Sequence, residues 1–454
     1  MHSQKHSWKK RLGFDSALIS AIFARVWGIG GGLITAILIA AHFPPQLQGY
    51  YYTFASLMAL QVVFELGLGQ VIIQFASHEW GRLHWNEKGN ISGDETALSR
   101  LICLGRFSFR WYAVAGLFLG VTVGIVGIVF FSHPNPSEVQ WLGPWLAMCG
   151  VATLNFTLIP CWALLEGCNQ IAEVYRYRAI QGVLASLSAW ISIMLGLELW
   201  TGAVIGTANL MTTIAFPGRR YRNVWSQMRT SSTGAIIPWR QELWPMQWRI
   251  AVSWLAGYFS FSIFTPILFQ FRGPEEAGRM GMTLTIVSAL QSVSMLWIST
   301  KIPLMGIMIS RREYAALDQI VWKSGAIGLT MGCLGAGITE ITVLGLHRWD
   351  HPFATRLLSP LPMGLFLLGM LAMLIAYPMA VYLRAHKREP LLGVSVINAT
   401  LLVISSLVFG HYYGAIGMGT GYLIVMALVA LPGTALVFYR CRTKWHSPIP
   451  SSPL

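Results

Sequence analysis

Three ionisable side chains, Arg25, Glu65 and Glu340, stand inside long apolar stretches of this 454-residue chain. A charge at mid-membrane costs about 2.5–3.5 kcal/mol on insertion scales, so one that occurs there faces a cavity, a ligand or a partner. Arg25 is followed by Gly28-Ile-Gly30-Gly31-Gly32, a run that lets helices approach closely or bend. A guanidinium at that depth suits an anionic group such as a phosphate, which it can hold through two hydrogen bonds. A pair with Glu65, or snorkelling to the inner interface, is the structural alternative.

Glu65 lies in Gln61-Val-Val-Phe-Glu65-Leu-Gly-Leu-Gly-Gln70-Val-Ile-Ile-Gln74, where Gln61 and Glu65 are four apart and Gln70 and Gln74 are likewise. That spacing puts each pair on one helical face, and the Gln61 and Glu65 face is expected to line a cavity. The Glu65 carboxylate can carry protons, pair with Arg25 or bond neighbouring helices. Glu340 falls towards the outer end of its stretch, as an ion-coupling group or an interfacial carboxylate. Most of the 19 tryptophans suit an aromatic belt at the membrane surfaces, but Trp27, Trp254 and Trp297 lie inside apolar stretches and could stack on a sugar ring.

The elements that must position these groups are membrane helices. A hydrocarbon core about 30 Å thick needs roughly 20 apolar residues. Twelve stretches are read as spans, at 17–41, 51–75, 111–131, 141–165, 180–199, 201–216, 248–269, 282–305, 324–346, 361–383, 391–409 and 415–438. A composition 54% hydrophobic and 11% charged lies far from that of a soluble domain. The fold class is therefore all-α and polytopic, in two six-helix bundles around a central cavity. The first stretch is read as a retained helix and not a cleaved signal.

Lys and Arg remain on the cytoplasmic side during insertion. With the N-terminus inside, and with Arg249 and Lys301 at the mouths of their spans counted as cytoplasmic, 27 of the 32 fall in inner segments. Arg272, Arg279, Arg348 and Arg356 are left outside, and Arg25 within a span. Both termini are expected to be cytoplasmic. The net charge of +14 is spread over seven inner segments, which matches anionic headgroups and membrane topology and argues against nucleic acid as a partner.

The long inner gap 217–247 divides the spans six and six, giving expected halves 1–232 and 233–454. Parallel repeats are the corresponding arrangement. Pro45-Gln-Leu-Gln-Gly49 after the first span is echoed by Pro274-Glu-Glu-Ala-Gly278 after the seventh, and Ala59-Leu60-Gln61 by Ala289-Leu290-Gln291. Each half is entered through a basic, Trp-rich segment, around Trp8–Arg11 and Trp239–Arg249. Pro266, Pro303, Pro362 and Pro432 mark candidate bends.

Other chemistry is excluded. No GxxxxGK[ST] occurs, so no P-loop is expected. The six cysteines show no CxxC pairing, and the His347 and His351 pair has too few companions for a metal site. No cofactor is expected.

These residues carry a resemblance. The twelve spans, the Pro-x3-Gly signatures and the segment Gly49-Tyr50-Tyr51-Tyr52-Thr53-Phe54-Ala55-Ser56-Leu57, with Glu65-Leu66-Gly67 and Gln74-Phe75-Ala76-Ser77-His78-Glu79-Trp80, resemble the Wzx-type polysaccharide and O-antigen exporters. Those exporters form part of the multidrug/oligosaccharidyl-lipid/polysaccharide flippase superfamily. The resemblance implies a non-enzymatic, multi-pass carrier in the bacterial inner membrane that moves a polyprenyl-diphosphate-linked oligosaccharide by alternating access. Its implied partners are the lipid-linked substrate, membrane lipids and glycan-assembly proteins such as a polymerase. Arg25 best matches the cationic diphosphate site and Arg249 is second, with Gln61, Glu65 and Trp254 as further substrate contacts and Glu65 and Glu340 as coupling groups.

Two alternatives stand beside it. A multidrug and toxin extrusion antiporter resembles the same fold but relies on carboxylates in the first or seventh helix, where this chain has only Asp15 at the margin of the first. A membrane glycan polymerase or ligase needs catalytic groups and room on the outer side, where the longest gap, 347–360, is short.

Overall fold

The computed structural model describes residues 16–87, 89–132, 139–228, 244–386 and 389–446. They form an all-α polytopic membrane protein with one small β-hairpin. In chain order the helices begin with α1 (Ser16–His42), α2 (Pro45–Met58), α3 (Gln61–Glu65) and α4 (Leu68–Trp80). After strands β1 (Leu83–Trp85) and β2 (Ile91–Gly93) come α5 (Glu95–Phe131), α6 (Leu142–Thr157), α7 (Ile159–Gly167), α8 (Ile171–Met194), α9 (Thr201–Thr213) and α10 (Arg222–Gln227). The rest comprises α11 (Trp244–Phe261), α12 (Phe264–Arg272), α13 (Pro274–Ser299), α14 (Ile302–Ser310), α15 (Tyr314–Arg348), α16 (Pro360–Ala385), α17 (Leu392–Val425) and α18 (Leu431–His446).

Among the described residues nine helices are long and apolar enough to cross a membrane, or ten when the bent pair Pro45–Glu65 and Leu68–Trp80 is one span. Two features separate this count from the twelve expected stretches. Helix α8 opens with Glu173, Arg176 and Arg178, which lower its mean hydropathy below that of a span. Helix α17 is continuous only in name, because Gly414 (φ 59°, ψ −139°) reverses the chain. Gly417 then faces Phe409, and a Cβ on Gly421 would stand 2.9 Å from that of Ser405, so the segments flanking Gly414 pack antiparallel.

The chain divides into two compact units. One comprises the described residues up to Phe43 together with Leu57–Trp254, the other Pro44–Ser56 together with residues from Leu255 onward. Most of α2 therefore packs with the second unit. There Gln48 is buried and its Nε2 donates to the carbonyls of Gly278 at 3.0 Å and Arg356 at 3.1 Å. The two Pro-x3-Gly signatures both open helices, with Pro45 and Pro274 at the first position, where a missing N–H costs nothing. They also touch, since Gly49 lies against the Pro274 carbonyl. The second echo is unequal: Ala59 and Leu60 form a turn, whereas Ala289 and Leu290 lie inside α13.

Of the prolines expected to mark bends, Pro266 in α12, Pro303 in α14 and Pro362 in α16 fall in the first turns of helices that follow a break or turn, whereas Pro432 of α18 follows directly on the π-helical segment Met426–Ala430. The hairpin was not expected. It pairs Leu83 with Gly93 and Trp85 with Ile91, and the Gln227 side chain of α10 bonds both the amide (3.0 Å) and the carbonyl (2.8 Å) of Ile91. Asp94 caps α5 by accepting from the Ala97 amide at 2.8 Å. The Arg100 to Glu79 bridge, 2.7 Å, ties α5 back to α4.

Candidate functional site

The site is built on an interruption of the second span. Leu66 (φ 49°) and Gly67 (φ 66°) are both left-handed, which ends α3 at Glu65 and restarts the helix as α4. The two pieces are bent by 45°. A glycine adopts this conformation readily and a leucine does not, so the break is held by its surroundings. Ile250 of α11 supplies part of them, because its side chain occupies the space that a Cβ on Gly67 would need.

The restart leaves the first amides of α4 without helical partners and gives that end a partial positive charge. Glu65 answers both. Its half-buried carboxylate accepts from the Gly69 amide and from the Tyr112 hydroxyl of α5, the latter at 3.3 Å. Gly69 must be glycine for this, as a Cβ would stand 2.8 Å from Glu65 Oε1 and 3.4 Å from Tyr112 Oη. Glu65 is thus met by Tyr112 and Gly69 rather than by Arg25. Tyr112 is fully buried and packs on Phe156 at 5.0 Å.

Gln61, one turn before Glu65 in α3, is exposed. Trp254, one turn beyond Ile250 in α11, is half-buried. The backbone of Arg249 belongs to the same helix, while its side chain lies outside the described residues. The first unit therefore brings Gln61 and Glu65 onto one short helix whose end is met by α11.

Arg25 is exposed on α1, and that helix lies along α8. Of the glycine run, Gly31 makes the close approach: a Cβ there would stand 2.7 Å from Ser186 Oγ of α8, whereas Gly28, Gly30 and Gly32 face open space. Trp27 joins this seam by packing on Trp190 at 6.1 Å, and Trp190 Nε1 donates to Thr35 Oγ1 at 3.0 Å. Trp27 is thereby a packing residue of α1 and α8. Trp297 is exposed on α13.

Glu340 belongs to the second unit. It faces Gly364 of α16, whose absent side chain leaves room for the carboxylate 3.6 Å from where a Cβ would be, and its Oε2 is buried without a hydrogen-bond partner among the described residues. Among the described residues no three His, Cys, Asp or Glu side chains converge to hold a metal.

Tyr112 and the Leu66-Gly67 break escaped the sequence. The first is signalled by nothing local, since it meets Glu65 only through packing. The second had a signal in Glu65-Leu-Gly-Leu-Gly69, two glycines directly after a carboxylate.

No sequence family and no curated protein sequence matches the chain. Solved structures do. A point mutant of the MATE transporter VcmN of Vibrio cholerae aligns with TM-score 0.60 at 14% identity over 95% of this chain and 97% of its own. An inward-facing multidrug resistance MATE transporter of the MOP superfamily aligns with TM-score 0.65 at 12% identity, covering 92% and 95%. The lipid II flippase MurJ, inward closed, aligns with TM-score 0.63 at 12% identity, covering 95% and 88%. The chain therefore has the polytopic fold shared by these MATE transporters and the lipid II flippase MurJ.

Proposed function

We propose that this protein is a carrier that moves a polyprenyl-diphosphate-linked oligosaccharide from the inner to the outer leaflet of the bacterial inner membrane by alternating access. The observation that carries the reading is Arg25, an exposed guanidinium on a helix whose described residues hold no other Lys or Arg and no Asp or Glu. Such a group repels an organic cation and attracts a diphosphate. A fold shared with a lipid II flippase is in keeping with a lipid-linked cargo. Arg249, in the first turns of α11, is the second anion contact, and Gln61 and Trp254 are offered to the sugars.

Glu65 is the coupling group in this reading. As a carboxylate it accepts from Tyr112 and Gly69. Protonation would turn one oxygen into a donor and loosen the start of α4, so that proton binding changes the geometry of a broken helix. Glu340, whose Oε2 has no hydrogen-bond partner among the described residues, is the second coupling candidate. The protein acts without a cofactor, and glycan-assembly proteins such as a polymerase receive its product.

A second reading, a multidrug antiporter, draws on the likeness to MATE structures and would make Glu65 the cation site. One experiment separates them. In a strain lacking the gene, lipid-linked glycan labelled from each side of the membrane should accumulate on the cytoplasmic face. An unchanged pool with raised sensitivity to cationic dyes would replace the exporter by the antiporter.

A further inference from the structure

The second unit carries a cavity of about 870 Å³ where three connections converge: α12 to α13, α15 to α16, and the Gly414 turn. The arginine count assigns these connections to the outer side. The volume falls within the range, about 300–1,000 Å³, of cavities that hold small ligands.

Its lining is charged but balanced, with Arg272 and Arg279 set against Glu276 and Asp350. The arginines are also committed to the protein. Arg279 bonds Glu276 at 3.1 Å and the Thr355 carbonyl at 3.0 Å, and Arg272 Nη2 bonds the carbonyls of His411 at 3.3 Å and Tyr412 at 2.9 Å. No surplus of either sign remains for a phosphate or an organic cation.

What remains is uncharged hydrogen-bonding capacity beside open aromatic faces. His351 Nδ1 accepts from the Phe353 amide at 3.2 Å, which makes its Nε2 a donor. His347 Nδ1 lies 2.9 Å from the Val343 carbonyl, so it carries the proton and its Nε2 is an acceptor. Tyr412 and Tyr413, on the cavity wall, are each 68% exposed. The Gly414 turn presents both rings, and its positive φ excludes most other residues.

We propose that this cavity binds a neutral sugar of a glycan on the outer face of the membrane. The two rings are tilted by 56° to each other, so one stacks on the C–H face of the pyranose, whose polarised hydrogens meet its negative face, while the other meets the edge of the sugar. The imidazoles and Ser359 pair with vicinal hydroxyls, which need donors and acceptors side by side. The biological source of the sugar, an exported glycan, rests on the carrier reading; the recognition does not.

The test uses the full-length protein in lipid nanodiscs and a panel of short, fluorescently labelled neutral oligosaccharides of hexose and N-acetylhexosamine units. Inorganic pyrophosphate and tetraphenylphosphonium serve as competitors. At least one oligosaccharide should bind, and neither competitor should displace it. Replacing Tyr412 and Tyr413 together by Ala should weaken binding by about tenfold, whereas Phe at both positions keeps it. Absence of binding across the panel would overturn the proposal and leave the tyrosines as interfacial anchors. Equal binding by the Ala pair, or displacement by either competitor, would overturn it too. Sugar binding combined with an unchanged lipid-linked pool in the deletion strain would remove the carrier reading and retain the cavity.

Discussion

Gly49 lies against the carbonyl of Pro274, so the glycine of the first Pro-x3-Gly signature is packed on the proline of the second. The contact is reciprocated, because a Cβ on Gly278 would stand 2.9 Å from the Gly49 amide nitrogen. Two motifs separated by more than half the chain thus form one crossing of helix starts, closed by the side chain of Gln48. Backbone cannot yield as a flexible side chain does. Gly49→Ala is expected to cost about 1–3 kcal/mol, the usual range for overpacking, and to lower the melting temperature in detergent. An unchanged melting temperature would mean that the crossing is looser than described.

Glu65 has a structural task in its bonds to Tyr112 and Gly69, and substitution can separate that task from the ionic one proposed for it. Glutamine retains an oxygen that can accept from Gly69 and Tyr112, whereas alanine leaves a buried hydroxyl and a helix-start amide unsatisfied. Glu65→Gln should fold with nearly normal stability while transport loses its dependence on the ion gradient. Glu65→Ala should be destabilised by about 1–3 kcal/mol, the cost of an unmet buried polar group. Thermal unfolding read beside gradient-driven transport checks both. If the glutamine variant remained fully coupled, Glu65 would be structural only.

The β-hairpin depends on Gln227, which bonds both polar atoms of Ile91. In Gln227→Ala these bonds vanish and the hairpin opens more often. At about 1 kcal/mol for each of the two bonds, hydrogen exchange at the Ile91 amide should accelerate by roughly thirtyfold. Exchange at the same rate as in the wild type would show that β1 and β2 hold themselves.

Arg356 offers a test of the opposite sign. Its guanidinium is held below its usual pKa by burial, and Nη1 has no hydrogen-bond partner among the described residues, while its backbone carbonyl serves Gln48. Burial here penalises the charged form, and an arginine stays charged throughout the neutral range, so the penalty is constant there. Arg356→Met should raise the melting temperature and leave its pH profile flat around neutrality. A fall would point to a favourable role for the charge.

The spans were legible because hydropathy and length report directly on a bilayer-sized core. The turn in α17 was legible as well, since Phe409 and Ala415 were read as the ends of two stretches and Gly414 now lies between them. The apolar stretch begins at residue 180, yet helix α8 starts at Ile171, because its charged first turns are helical without being apolar. The hairpin was missed because its strands are three residues long and are fixed by a side chain 136 positions away. For the candidate site, sequence placed Gln61 and Glu65 on one face, which α3 retains. It could not supply Tyr112 or Ile250, whose relation to the break exists only after packing.

The most direct measurement of the central claim is translocation by the purified protein in liposomes, following a polyprenyl-diphosphate oligosaccharide from one leaflet to the other. Wild-type protein should move it and Arg25→Ala, at equal reconstitution, should be slowed by roughly tenfold or more, as expected for loss of a charge-assisted contact of about 1.5–3 kcal/mol. Equal rates for the two proteins would contradict the anionic site at Arg25, and no movement by the wild type would contradict the carrier itself.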